Sequence, residues 1–229
     1  MQTVVNDVMV NYVEAGKGKT ILCLHGWMDS HAAFTPLFNE LKDEYHLVAV
    51  DLPNFGASEM TSKIETIADY ANFVAALIEK KGIKDYSLVG HSMGCQIAMY
   101  GAGEGILKPE KLILLSPAGV RNKKKLSRKM MRYGSKVVGP FVPKSVKKKF
   151  YKRIDSDYSL DMSEILMNVF KNSQVADIQS QAACIKTPTI LVNGDSDTST
   201  PLWMAEILNH KIAGSTLQIL KGGDHWLPQ

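Results

Sequence analysis

The sequence is poor in cysteine, has no long apolar run and holds no cluster of metal-ligand side chains. Three cysteines in 229 residues, Cys23, Cys95 and Cys184, are an odd number in largely apolar surroundings. That excludes a disulfide framework and predicts buried thiols. Metal ligation asks for Cys and His at short spacing, which is missing. No stretch approaches the roughly 18 consecutive apolar residues of a membrane span, and Met1 to Asp7 lacks the basic start and apolar core of a signal peptide. A soluble, cytoplasmic protein without a transmembrane segment is expected. One segment also lacks acid: Arg121 to Arg153 holds 14 Lys and Arg with no Asp or Glu, so the remaining 13 basic against 23 acidic residues carry a net −10 while the whole chain is +4.

What is present is a core. With 45% hydrophobic residues the chain fills one domain plus an insertion. Short apolar strands are predicted at Met9 to Val13, Thr20 to Leu24, His46 to Val50, Tyr86 to Val89, Leu112 to Leu115, Thr189 to Val192 and Thr216 to Leu220. Helical periodicity lies between them at Ala33 to Leu41, Ile64 to Lys80, Gln96 to Glu104 and Pro201 to Asn209. This alternation predicts an α/β fold: a mostly parallel central sheet flanked by helices, with ligands at the carboxyl ends of the strands. His25-Gly26, Asp51, Gly90 to Gly94, Gly194 to Asp197 and Gly222 to His225 all fall on such ends. The rhythm breaks between Pro117 and Pro188. Helical patterns there, at Lys124 to Tyr133, Lys144 to Ile154 and Met162 to Phe170, predict an inserted helical cap over 118–186, leaving 1–117 and 187–229 as the core.

Gly90-His91-Ser92-Met93-Gly94 is a Gly-x-Ser-x-Gly between a strand and a helix, the context of a nucleophile elbow. The serine needs strained backbone angles, and side chains at the glycines would collide with the neighbouring strand and helix. A hydroxyl is a weak nucleophile at its own pKa and needs a base, which needs an orienting acid. His225, after Lys221-Gly222-Gly223-Asp224, can swing an imidazole over the sheet. The acid is Asp197 or its neighbour Asp195, in a turn before a helix that Pro201 could open as its first residue.

With these motifs the chain resembles the α/β-hydrolase superfamily over nearly its whole length. His25-Gly26-Trp27 is similar to its oxyanion loop, Asp51-Leu52-Pro53-Asn54-Phe55-Gly56-Ala57-Ser58 to its Asp-x-x-Gly-x-Gly-x-Ser loop, and Gly90 to Gly94 to its elbow. Gly194-x-x-Asp197 with Pro201 resembles its acid turn, and Gly222-x-x-His225 its base loop. The resemblance implies a serine esterase or lipase-like enzyme with Ser92, Asp197 and His225 as triad. It prefers Asp197 to Asp195. It implies backbone N–H groups of Trp27 and Met93 as oxyanion donors, with His25, Gly26, Asp51 and Asp195 in support and no metal or organic cofactor. Asn54 stands where the family usually has glycine, and Cys95 replaces another glycine in a packing role. The chain ends four residues after His225, where the superfamily continues with a helix on the sheet. Either the sequence is cut short or another element covers that face.

The implied reaction is hydrolysis of a small-molecule carboxylic ester with a small to medium apolar acyl group, in a pocket with Trp27, Met93, Phe141 and Met162 among its candidate lining residues. Lactone, thioester, amide or carbon-carbon cleavage on the same fold, and a non-catalytic binding protein, are the alternatives. Serine at position 92 argues against epoxide hydrolases and haloalkane dehalogenases, whose nucleophile is a carboxylate. The basic run reads as a solvated cap surface with lysine stems along apolar area, or as attraction for an anionic substrate or lipid surface. A nucleic-acid partner is the least favoured reading.

Overall fold

Asn6 and Asp7, with φ of 49° and 61°, form a two-residue turn of the kind that matches strand twist. It joins β1 (Gln2–Val5) to β2 (Val8–Ala15) as an antiparallel hairpin. The sequence reading did not include β1, although an Asn-Asp pair between valine-rich segments is a hairpin signal. The computed structural model describes residues 1–121 and 163–228. The expected helices Lys124 to Tyr133 and Lys144 to Ile154, and the candidate pocket residues Phe141 and Met162, lie outside the described residues.

The sheet continues through β3 (Thr20–Leu24), β4 (His46–Val50), β5 (Tyr86–His91), β6 (Lys111–Leu115), β7 (Thr189–Gly194) and β8 (Thr216–Leu220). Its eight strands run in the order β1-β2-β4-β3-β5-β6-β7-β8, with β2 antiparallel to β4 and every later pairing parallel. The α/β fold with a mostly parallel sheet is therefore as expected. The helices are α1 (Thr35–Leu41), preceded by a 3-10 turn at His31–Phe34, α2 (Ile67–Lys81), α3 (Met93–Gly103), α4 (Glu164–Val175), α5 (Gln179–Ala182) and α6 (Leu202–Lys211). Between β6 and β7, α4 and α5 are the described helices. Thr66 and Asp69 close a reciprocal capping box on α2, and Gly82 ends it in the left-handed conformation, satisfying helix-end groups that would otherwise lack partners. Pro201 is the extended residue flanking α6 rather than its first helical residue.

Alternation along the strands sorts the core onto two faces. Leu22, Leu24, Val48, Val50, Leu88, Leu112, Leu114 and Leu191 join one large cluster with the inward stripes of α2 and α3. Cys23, Ala49 and Val89 point the other way, against Ala33 and Phe34 of the 3-10 turn. The second face is covered less completely. Ile190 and Leu220, on its far side, are exposed, as are Ile219 and Trp203. Cys23 and Cys95 are buried as expected, but Cys184 is exposed: it follows the short α5 in a turn, where Ala182 and Ile185 turn inward while Ala183 and Cys184 face out.

Candidate active site

Gly90 and Gly94 make the turn at the end of β5 possible by close approach. A Cβ on Gly90 would stand 2.8 Å from the Cys95 nitrogen and the Gly94 carbonyl carbon, and one on Gly94 would run into the Leu24 carbonyl of β3. Ser92 between them holds φ 50° and ψ −109°, a region that non-glycine residues rarely adopt. Its N–H is tied to the Leu115 carbonyl of the next strand at 3.0 Å. The side chain thus stands at the carboxyl edge of the sheet with α3 starting directly after it, so that the Met93 N–H opens the helix without a carbonyl one turn back.

His225 Nε2 lies 3.0 Å from Ser92 Oγ, and its Nδ1 lies 2.9 Å from Asp197 Oδ2. A carboxylate oxygen only accepts, so Nδ1 carries the proton and Nε2 is free to accept from the hydroxyl. Asp197 is held firmly: Oδ1 accepts the N–H groups of Ser199 and Thr200, both at 2.8 Å, and Oδ2 faces the Thr200 hydroxyl at 2.8 Å. Burial by itself raises the Asp197 carboxyl, but the His225 ring and the Thr200 N–H and hydroxyl outweigh it and hold the pKa below the usual carboxylate value. Asp195, its exposed neighbour, turns away, accepting the Gly222 N–H at 2.7 Å and the Ser196 hydroxyl at 3.2 Å.

The loops that carry Asp197 and His225 touch backbone to backbone. A side chain on Gly194 would collide with the Gly223 carbonyl, Ser196 N–H donates to that carbonyl at 3.0 Å, and Gly222 takes φ 74° to turn the loop. These contacts explain the glycines at both sites.

The loop after β3 closes the other side. A Cβ on Gly26 would stand 3.2 Å from Ser92 Cβ, which brings the backbone of Gly26 and Trp27 beside the hydroxyl. His25 behind it accepts the Leu52 N–H on Nε2 at 2.9 Å and donates from Nδ1 to the Gly26 carbonyl at 2.7 Å, and burial keeps its pKa low. Asp51 ties three segments together. It accepts from Asn11 at 2.9 Å, from the His31 N–H and ring at 2.7 Å, and from the Ala57 N–H at 2.9 Å. Although burial pushes its carboxyl up, these donors bring it below its ordinary range. Asn54 adopts φ 75°, the left-handed conformation that glycine or asparagine tolerates best. Its amide donates to the Ile64 carbonyl at 2.9 Å and its carbonyl accepts the Thr61 N–H at 2.6 Å. Cys95 Sγ donates to the Gly90 carbonyl at 3.0 Å, a packing contact under the turn.

Trp27 packs between Phe55 and Phe170, with ring centroids 5.2 Å from each, forming an aromatic wall beside the loop after β3. The sequence reading missed Phe170 and Thr200. The spacing Asp-x-x-Thr, in which a carboxylate accepts backbone N–H groups two and three residues on, was the available signal for Thr200. Phe170 had none, because its helix meets Trp27 only through the fold. Among the described residues no three His, Cys, Asp or Glu side chains converge to hold a metal ion, and no described helix is long and apolar enough to cross a membrane.

A family model described as the alpha/beta hydrolase family matches residues 21–229. The uncharacterized hydrolase YugF of Bacillus subtilis is 27% identical, the match covering 98% of this chain and 89% of that protein. The crystal structure of a bacterial membrane phospholipase A superposes with a TM-score of 0.78 at 22% identity, covering 99% of this chain and 79% of that one. An esterase from Exiguobacterium antarcticum superposes with a TM-score of 0.75 at 21% identity, covering 98% and 91%. At these identities the two structures share the fold, and the family model adds the sequence pattern from the first parallel strand to the last residue: the chain belongs to the alpha/beta hydrolase family.

Proposed function

We propose that this protein is a serine carboxylesterase that cleaves small-molecule esters of small to medium apolar acyl groups through an acyl-serine intermediate. The observation that carries the reading is the unbroken line from Asp197 Oδ2 through His225 to Ser92 Oγ, with contacts of 2.9 and 3.0 Å. In this mechanism His225 Nε2 takes the hydroxyl proton as Ser92 Oγ attacks the ester carbonyl, and Asp197 holds the tautomer and the imidazolium that forms. The Trp27 and Met93 N–H groups receive the oxyanion, each such donor contributing about 3 kcal/mol to the transition state. His225 then protonates the departing alkoxide, and the same residue activates the water that releases the acid. The wall of Trp27, Phe55 and Phe170 supports an apolar acyl group, since aromatic faces give up water readily and impose little polar selectivity. Ester chemistry on this fold accords with the phospholipase and the esterase among the structural neighbours.

A panel of nitrophenyl esters from acetyl to palmitoyl tests the reading. Turnover highest at short to medium chains, abolished by Ser92→Ala, is the expected result. Absence of turnover across the panel and failure of a fluorophosphonate to label Ser92 would refute it, leaving another scissile bond or a binding role.

A further inference from the structure

His91 is the residue inside the nucleophile turn for which the mechanism above has no use. It is buried at 1% exposure, and its Nε2 lies 2.8 Å from the backbone carbonyl oxygen of His225. Since a carbonyl only accepts, Nε2 carries the proton, and Nδ1 is left a bare acceptor, buried without a hydrogen-bond partner among the described residues. The ring is closely surrounded. Its centroid is 5.0 Å from that of His225 and 6.1 Å from that of Trp226, and a Cβ on Gly26 would stand 3.0 Å from Nδ1. A second proton would have no acceptor there. Burial, the largest influence, together with the nearby His225 ring brings its pKa down to about 4, against the opposing pull of the His225 carbonyl, Asp29 and Asp197. The ring is therefore a neutral, single-donor group with a fixed tautomer.

We propose that His91 is a positioning residue whose Nε2–H clamps the backbone of the base loop onto the nucleophile turn and so sets the distance from His225 to Ser92. This rests on the acyl-serine reading of the same site. The need for such a clamp follows from the topology. His225 is brought to Ser92 across 133 residues of sequence, on a glycine-containing loop after β8, whose residues are largely exposed. The Asp197 contact fixes the rotation of the imidazole, and the Ser92 contact is the one that breaks in every turnover. The bonds at Gly222 and Gly223 hold the loop to the Asp197 turn rather than to the nucleophile turn, and neither side-chain contact fixes where the His225 backbone sits relative to Ser92. The His91 bond does, and because His91 and Ser92 are adjacent on the same rigid turn, it ties the base directly to the atom it must deprotonate.

Two variants and a spectrum test this. His91→Phe keeps a ring and removes the donor, whereas His91→Gln places an amide N–H near the same point. On nitrophenyl butyrate, His91→Phe is expected to lower kcat about tenfold, the scale of a buried carbonyl left unpaired, with KM unchanged. His91→Gln should recover most of the loss. A His91→Phe enzyme with the wild-type kcat, or a Gln variant no better than Phe, would overturn the proposal. Ser92→Ala run in parallel separates the two readings: if it still hydrolyses the ester, the acyl-serine reading fails and the clamp with it, whereas an inactive Ser92→Ala beside a fully active His91→Phe removes the clamp alone. The spectrum needs no variant and so does not depend on the substituted protein folding. Long-range proton–nitrogen correlation of the wild-type ring at pH 6 should show a neutral imidazole protonated on Nε2. A ring protonated on Nδ1 alone could not donate to the carbonyl, and a charged ring would contradict its buried, acceptor-free Nδ1; either overturns the proposal.

Discussion

Replacing Asp197 by asparagine changes no volume, yet the geometry dictates that it inverts the tautomer of the base. Oδ1 accepts two backbone N–H groups at 2.8 Å, so an amide at this position must keep its oxygen there. Its nitrogen is then forced onto the Oδ2 side, 2.9 Å from His225 Nδ1. Two donors cannot share that contact, so the imidazole proton moves to Nε2, where it faces Ser92 Oγ and removes the lone pair that should accept the hydroxyl proton. Wrong-tautomer variants of serine triads lose about 10⁴ in kcat, about 5 kcal/mol of barrier. The assay is ester turnover and the rate of fluorophosphonate labelling at pH 8, with circular dichroism to verify the fold. Asp195→Asn is the control, because Asp195 holds only Gly222 and Ser196 and its loss should leave turnover close to wild type. If Asp197→Asn keeps more than about a tenth of the wild-type kcat, or if Asp195→Asn falls as far, the argument from the two backbone donors is wrong.

Other expectations are open to direct measurement. The folded protein holds His91 neutral with its pKa lowered from 6.5 to about 4, and His25 is lowered as well; the unfolded chain therefore binds more protons below pH 6.5, and stability falls as pH drops toward 4. His91 alone accounts for about 3 kcal/mol on this scale, and a melting temperature that stays flat between pH 7 and pH 4.5 would refute it. Asn54→Ala removes the bonds to Ile64 and Thr61 and leaves alanine in the left-handed region, a loss of about 3 kcal/mol. Asn54→Gly should lose less, because glycine accepts that backbone, and a glycine variant as stable as wild type would show that the amide bonds contribute nothing. The run from Arg121 to Arg153, with 14 basic residues, is read as solvated surface: raising the salt should affect a neutral and an anionic ester of equal acyl length alike, and anionic vesicles should bind no protein. A steeper salt response for the anionic ester, or vesicle binding, assigns the run to attraction instead.

Much of this was legible because each candidate side chain sits on a local signal. The elbow, the acid turn and the base loop each carry a glycine whose requirement is backbone contact or a positive φ, so Gly90, Gly94, Gly194 and Gly222 mark their places before any fold is known. The alternating strand series likewise gave the parallel sheet. What was illegible depends on contacts between distant segments. His91 reads as an arbitrary residue until the His225 carbonyl is placed against it, and Phe170 belongs to the aromatic wall only because α4 reaches Trp27. Cys184 shares the apolar neighbourhood of the other two cysteines, and only the turn after α5 decides that it faces water. The first strand was overlooked for a different reason: four residues, half of them polar, give too little periodicity to be recognised without their turn.

If Ser92, Asp197 and His225 react as proposed, their order along the chain sets when the protein becomes competent. The turn that holds Ser92 leans on β3, β5 and β6, whereas Asp197 follows β7 and His225 follows β8, at the far edge of the parallel array. On the proposed reading, a chain in which β8 has not yet paired with β7 would hold Ser92 in its strained turn with no base beside it. Competence would then arrive in one late step, and agents that peel β8 from the sheet edge should silence the enzyme while most of its secondary structure remains.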